Sequence, residues 1–156
     1  MAHLSRVASP KLWQVPRKKR KWITRTSSGP HSLDSSINLS ILIRYVLGYG
    51  HSNRDVKRIL NNQEVKVDTK IRKDTHFPVG LMDTISFDKI NGYYRILLNK
   101  KGKIILAKIP KEESHIKPFK IIGKKVLRKN KLQLNLSNGK NILVDKDNYK
   151  VSDSLL

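Results

Sequence analysis

No cysteine occurs among the 156 residues of this chain. Disulfides and any thiolate zinc site are thereby excluded, and zinc fingers and zinc ribbons leave the range of basic nucleic-acid-binding modules. No stretch of about eighteen apolar residues exists to cross a bilayer. The N-terminus, Met1-Ala2-His3-Leu4-Ser5-Arg6-Val7, never builds the apolar core of a signal peptide. A cytoplasmic setting without a membrane partner is therefore expected. His3, His31, His51, His76 and His115 show no metal-ligand spacing, and neither a glycine-rich phosphate loop nor an activated nucleophile is found. Asp74, His76 and Asp83 lie close together in sequence, but turn chemistry and strand-edge polarity account for them more simply than acid–base catalysis does. These absences point to a protein with no catalytic residue, no metal, no cofactor and no small-molecule substrate.

Acidic residues are scarce as well. Asp and Glu number 12 against 33 Lys and Arg, a formal net charge of +21 and a pI near 10.4. Such an imbalance makes a compact monomer repel itself, so a polyanionic partner is expected in the working state. Nucleic acid leads, because cations gain affinity by displacing the counterions condensed on phosphates. The length allows one or two small domains with modest cores.

Along the chain, eight Lys or Arg precede the first acidic residue, Asp34. Pro10, Pro16 and Pro30 prevent a long helix there, so 1–34 reads as an extended basic arm with too little apolar surface to order itself. Its candidate nucleic-acid-contacting residues are Arg6, Lys11, Trp13, Arg17, Lys18, Lys19, Arg20, Lys21, Trp22 and His31. The two Trp rings flank the densest basic run and suit stacking on bases or docking onto a partner. Next, Leu39, Leu42, Ile43, Val46 and Leu47 form a helical stripe opened by Asn38 and stopped by Gly48 and Gly50, with Arg44 away from the stripe. A second helix starts at Ser52, with Asp55 completing a capping box. Val56, Ile59 and Leu60 share one of its faces, while Arg54, Lys57, Arg58 and Asn61 share the other. On its own a basic stripe is as readily a solvated surface as an anion-binding one.

Beyond Asn62 the period changes to alternation. Val65 and Val67 point inward with Lys66 outside, Asp68-Thr69-Lys70 turns the chain, and Ile71 is expected to rejoin the apolar face, leaving Lys70 and Arg72 outside. Ile85 and Phe87 mark a further inward-facing strand. From Tyr93 the pattern is all-β: Tyr94, Ile96 and Leu98, then Ile104 to Ile109, Phe119 to Leu127 interrupted at Gly123, and Leu132, Leu134 and Leu136. A three-residue loop with Gly139 at positive φ is expected to align Leu136 with Ile142 and Leu134 with Val144.

With these residues laid out, the chain resembles the archaeal and eukaryotic small-subunit ribosomal protein family S-four-e. The resemblance runs through His3-Leu4-Ser5-Arg6, Ala8-Ser9-Pro10-Lys11-Leu12-Trp13, Arg17-Lys18, Trp22 and Gly29-Pro30-His31. It continues through Ser36-Ile37-Asn38-Leu39, Ile59 to Asp68, Arg72-Lys73-Asp74 and Phe77 to Asp83. It implies an α+β fold: a basic arm over 1–34, a small S-four-type RNA-binding domain of two helices and a β-hairpin over 35–90, and a small, mainly antiparallel β domain over 91–156. In that module RNA lies along the second helix and the hairpin, which implies Ser52, Arg54, Lys57, Arg58, Lys66, Lys70 and Arg72 here, with Arg44 extending the face. The partners implied are small-subunit ribosomal RNA and neighbouring small-subunit proteins, with the ribosome as location. A free-standing RNA-binding module acting in RNA–protein assembly or rescue is the alternative.

Two departures stand out. The family has Val-Asp-Gly-Lys where this chain has Val67-Asp68-Thr69-Lys70, and Thr tolerates positive φ poorly. The family also continues past Val151-Ser152-Asp153-Ser154 into a C-terminal SH3-like barrel with a KOW motif, a domain expected to be absent here.

Overall fold

The structure, a computed structural model, describes residues 3–128, 131–137, 139–145 and 148–156. The chain is mixed helix and sheet, with many strands and few helices, and divides into two compact units, Met1–His115 and Ile116–Leu156. Residues 91–115 therefore pack with the first unit. Among the described residues no helix is long and apolar enough to cross a membrane.

In the first unit β1 (Leu4–Ser5) pairs antiparallel with β2 (Trp22–Ile23), and β3 (Ser36–Asn38) pairs with β6 (Pro78–Gly80). A five-stranded antiparallel sheet follows the order β5 (Lys70–Ile71), β4 (Val65–Val67), β7 (Thr84–Phe87), β8 (Gly92–Leu98), β9 (Ile104–Lys108). Helices α1 (Leu39–Ile41) and α2 (Asn53–Asn61) share one core with this sheet: Leu39, Ile41, Val56 and Leu60 are buried with Val65, Val67, Ile85, Phe87 and Ile96. The apolar stripes read from the sequence are thus the faces turned inward.

Beyond Ile41 the first helix is not regular α. Leu42–Val46 forms a π turn, in which the Leu47 N–H donates to Leu42 O at 3.0 Å. An i→i+4 and an i→i+5 ladder keep much the same residues on the buried side over two turns, so the stripe alone did not separate them. Gly48, at φ +75°, ends the turn as expected. Tyr49 then leads into an aromatic cluster: its ring meets Phe87 edge-on at 5.3 Å, and its hydroxyl lies 2.8 Å from that of Tyr94. That hydroxyl contact, and then burial, pushes the Tyr49 phenol up from its ordinary range.

The turn between β4 and β5 has both central residues at positive φ, Asp68 at 47° and Thr69 at 68°. This is the type I′ hairpin geometry, which favours Asn or Asp followed by Gly. Its register pairs Lys66 with Ile71 and Val67 with Lys70. The expectation that Ile71 rejoins the apolar face is therefore corrected: the two-residue loop puts Ile71 beside Lys66, and it is exposed. A β-branched residue at φ 68° is strained. Thr69→Gly is expected to raise stability by about 1 kcal/mol, read as a higher urea midpoint at unchanged slope. A lower midpoint would mean that the Thr69 hydroxyl, which donates to Asp68 O, outweighs the strain.

The second unit is a four-stranded antiparallel sheet in the order β12 (Asn141–Val144), β11 (Leu132–Leu136), β10 (Phe119–Val126), β13 (Ser154–Leu155). Ile121, Leu132, Leu134 and Leu136 form its core. The register is irregular between Ile121 and Gly123, at the interruption expected there. Leu134 faces Ile142 and Leu132 faces Val144, a shift of two residues from the expected pairing. Gly139 does lie at φ +76°, but the loop closes on Leu136 and Lys140, with Leu136 N–H donating to Lys140 O at 2.9 Å. The expected pairing would have needed a five-residue loop. Because the slip is even, each side chain stays on its face. Asn138, which the loop expectation included, lies outside the described residues.

Candidate nucleic-acid interface

Helix α2 is held at its start by the reciprocal box read from the sequence. Asp55 N–H donates to Ser52 Oγ at 3.2 Å, and Ser52 N–H donates to Asp55 Oδ2 at 2.9 Å. The Ser52 contacts hold the Asp55 carboxyl below the usual carboxylate range, so the box is complete at neutral pH and is lost as acid protonates it. Val56 and Leu60 anchor the helix in the core, leaving Arg54, Lys57 and Arg58 exposed on the opposite side. At the other end, Glu64 accepts from Lys89 Nζ and from Asn62 Nδ2, and those contacts lower its carboxyl too. The helix thus presents cations from a rigid backing.

The remaining residues predicted for this face lie as follows. Arg44 is half-buried over the Tyr45 ring, 5.0 Å from its centroid, and its Nη1 donates at 3.4 Å to Oδ1 of Asn53, the first residue of α2. Ser52 is occupied by its capping role. Lys66 is half-buried in an ion pair with Asp88 at 2.6 Å. Lys70 is exposed at the hairpin tip, and Arg72 stacks over Phe77 at 4.3 Å.

The arm is built into the first unit rather than extended. Trp13 is 2% exposed in the core, and its Nε1–H donates to Ser36 O at 2.5 Å. Arg6, 3% exposed, donates to Arg20 O at 3.1 Å, Pro16 O at 3.0 Å and Tyr45 Oη at 3.2 Å. Arg17 donates to the carbonyls of Val7, Ser9 and Pro10. His31 places Nε2 3.0 Å from the buried Asp83 carboxylate, and its ring fills the space that a side chain on Gly80 would occupy. Asn38, buried, reaches back with Nδ2 to Thr24 O at 2.7 Å. Burial thus takes Arg6 and Trp13 away from any outside ligand. Lys11, Lys18, Lys19, Arg20 and Lys21 are exposed, and Trp22 is 50% exposed with Lys21 Nζ over its ring.

Between the β1–β2 pair and the start of α2 lie two clefts that share Ile23, Thr24, Ser40 and Asn53. The larger, about 490 Å³, is also lined by His3, Leu4, Arg25, Lys57, Thr75 and His76. The smaller, about 160 Å³, is also lined by Arg6, Arg20, Trp22, Ile41, Arg44 and Tyr45. Among the described residues, no Asp or Glu lines either one. The sequence reading missed Arg25, Asn53, Thr75 and His76. A signal for Arg25 lay in the alternation of Trp22-Ile23-Thr24-Arg25, which marks a strand with faces. Among the described residues, no group of three or more His, Asp or Glu is placed to hold a metal.

Residues 90–156 match a family described as Ribosomal family S4e, and residues 2–34 match the RS4NT (NUC023) domain. The chain is 46% identical over 154 residues to the small ribosomal subunit protein eS4 of Methanosphaera stadtmanae, covering 99% of this chain and 64% of that protein. It is 44% identical over 149 residues to the protein of the same name from Nanoarchaeum equitans, covering 95% of this chain and 63% of the relative. A crystal structure of the 30S ribosomal protein S4e from Thermoplasma acidophilum superposes with a TM-score of 0.66 at 34% identity, covering 78% of this chain and 62% of that one. The chain thus spans a little under two thirds of the length of these relatives.

Proposed function

Since this chain belongs to the ribosomal S4e family, we propose that it is a structural constituent of the small ribosomal subunit and binds ribosomal RNA. The proposed RNA face consists of Arg54, Lys57 and Arg58 on α2, Lys70 at the hairpin tip, and the exposed part of the arm: Lys11, Lys18, Lys19, Arg20, Lys21 and Trp22. The matched segment 2–34 coincides with the proposed arm, and strands β8 and β9 complete the sheet that the proposed S-four-type module begins. No catalytic residue and no cofactor belong to this reading.

The observation that carries it is α2: one helix with an apolar side fixed in the core and three exposed cations on the other. A rigid row of cations suits phosphate contacts, which position a protein on RNA without reading its sequence. Crosslinking in native small subunits, with peptides and nucleotides mapped together, tests it. Crosslinks from α2 and the Lys18–Trp22 run to small-subunit ribosomal RNA are expected. Crosslinks to transfer or messenger RNA would overturn the ribosomal assignment and leave the RNA-binding module intact.

Arg54→Ala with Lys57→Ala is expected to weaken binding to small-subunit RNA about tenfold while leaving the thermal transition unchanged. The slope of log affinity against log salt becomes shallower by roughly 0.7–0.9 for each phosphate that the variant no longer neutralises. Unchanged affinity and slope would remove this face from the interface.

A further inference from the structure

We propose that the two adjoining clefts between the β1–β2 pair and the start of α2, which share four lining residues, hold one unstacked nucleotide of single-stranded or bulged RNA, with its phosphate in the smaller lobe and its base in the larger. This rests on the RNA-binding reading above and names what one part of that surface takes.

Charge comes first. The smaller lobe gathers Arg20 and Arg44 beside the buried Arg6, and no carboxylate among the described residues lines it. Arg6 is committed to two carbonyls and the Tyr45 hydroxyl, so it fixes the wall. Arg44 stacks on Tyr45 and reaches Asn53 Oδ1, which holds its guanidinium at the rim. Planar guanidiniums with unspent donors are suited to phosphate oxygens.

The larger lobe has different chemistry. Leu4 and Ile23 give it an apolar wall, and its volume of about 490 Å³ falls in the range of small-molecule sites. Its polar groups have defined roles. His76 Nδ1 donates to Arg25 O at 2.7 Å, so Nε2 is the ring nitrogen left to meet a ligand. Asn53 Oδ1 accepts from Ser40 Oγ and from Arg44 Nη1, both at 3.4 Å, so its amide NH₂ is the donor that remains. An apolar wall with an amide donor and a ring nitrogen matches a base face and its hydrogen-bonding edge. Lys57 and Arg25 at the same lobe provide for a neighbouring phosphate. A paired duplex presents no free base to this cleft. Selectivity for an unpaired nucleotide follows.

The test uses the full chain and two RNA hairpins of equal length, each closed by a non-nucleotide linker, one with a fully paired stem and one with a single bulged adenosine. Wild type is expected to bind the bulged hairpin about tenfold more tightly, the order that burying one base face against an apolar wall supplies. Thr75→Phe, which fills the larger lobe without altering charge, is expected to bring that ratio to about one and to leave affinity for the paired hairpin unchanged. Should that variant fail to fold, chemical-shift titration of wild type decides. Adenosine 5′-monophosphate is then expected to perturb Ile23, Thr24, Asn53 and Thr75, whereas inorganic phosphate perturbs Arg20 and Arg44 alone. Equal affinity of wild type for the two hairpins, or no perturbation by the nucleotide, overturns the cleft proposal while the RNA-binding reading stands. Failure to bind either hairpin overturns that reading itself.

Discussion

Trp13→Ala is expected to cost about 3–5 kcal/mol of folding stability, the range for removing a large aromatic from a packed interior. The indole is 2% exposed among the core residues of the first unit, so its loss leaves a cavity that the surrounding strands fill only in part. Ser36 is itself fully buried, and its carbonyl loses the Nε1–H donor. Chemical denaturation checks this, with Trp22 as the remaining fluorophore. A cost below about 1 kcal/mol would mean that the arm is not seated on the core in solution. An RNA-stacking role for Trp13 predicts the reverse pattern, with stability intact and affinity reduced.

The second large effect falls on Arg6. Arg6→Met keeps much of the side-chain length and removes three donated hydrogen bonds. A loss of about 3 kcal/mol is expected, since bonds from a charged donor contribute about 1.5–3 kcal/mol each and part of this returns as the freed carbonyls meet water. Hydrogen exchange should locate the damage: amides at the β1–β2 pairing, Leu4↔Ile23 and Ser5↔Trp22, lose protection before those of the five-stranded sheet. An unchanged denaturation midpoint would place Arg6 in water, contrary to its burial.

These two residues mark the border of what the sequence made legible. Helix α2 was readable because everything that defines it is local: the Ser52–Asp55 box, the apolar spacing of Val56 and Leu60, and the cations between them. The strands from Val65 onward were readable for the same reason, since alternation is a near-neighbour property. The arm was not. Its order comes from pairs far apart in the chain, Arg6 with Tyr45, Trp13 with Ser36, Gln14 with Ile104 and Asn38 with Thr24, and no window of sequence contains both members. Lysine- and proline-rich composition argues for an unfolded segment only if nothing elsewhere offers partners. The cleft shared by Ile23, Thr24 and Asn53 was hidden for the same reason, being made where the arm meets the start of α2. Ile71 shows a further limit, because inward and outward are settled by the hairpin register and not by hydrophobicity.

The π turn over Leu42–Val46 acts as a phase adjustment between two commitments of one short helix. An α-helix advances about 100° per residue, so a turn containing one residue more rotates all that follows relative to all that precedes. Before the turn, Asn38 and Ser40 face the arm and α2; after it, Tyr49 must meet Phe87 and Tyr94 across the sheet. Tyr45, inside the turn, is the ring on which Arg6 and Arg44 both lie. Loss of a single residue here would restore an ordinary helix and bring one of those two sets of contacts out of angular alignment. Among sequences sharing this architecture, the length of Leu42–Val46 is therefore expected to be held constant.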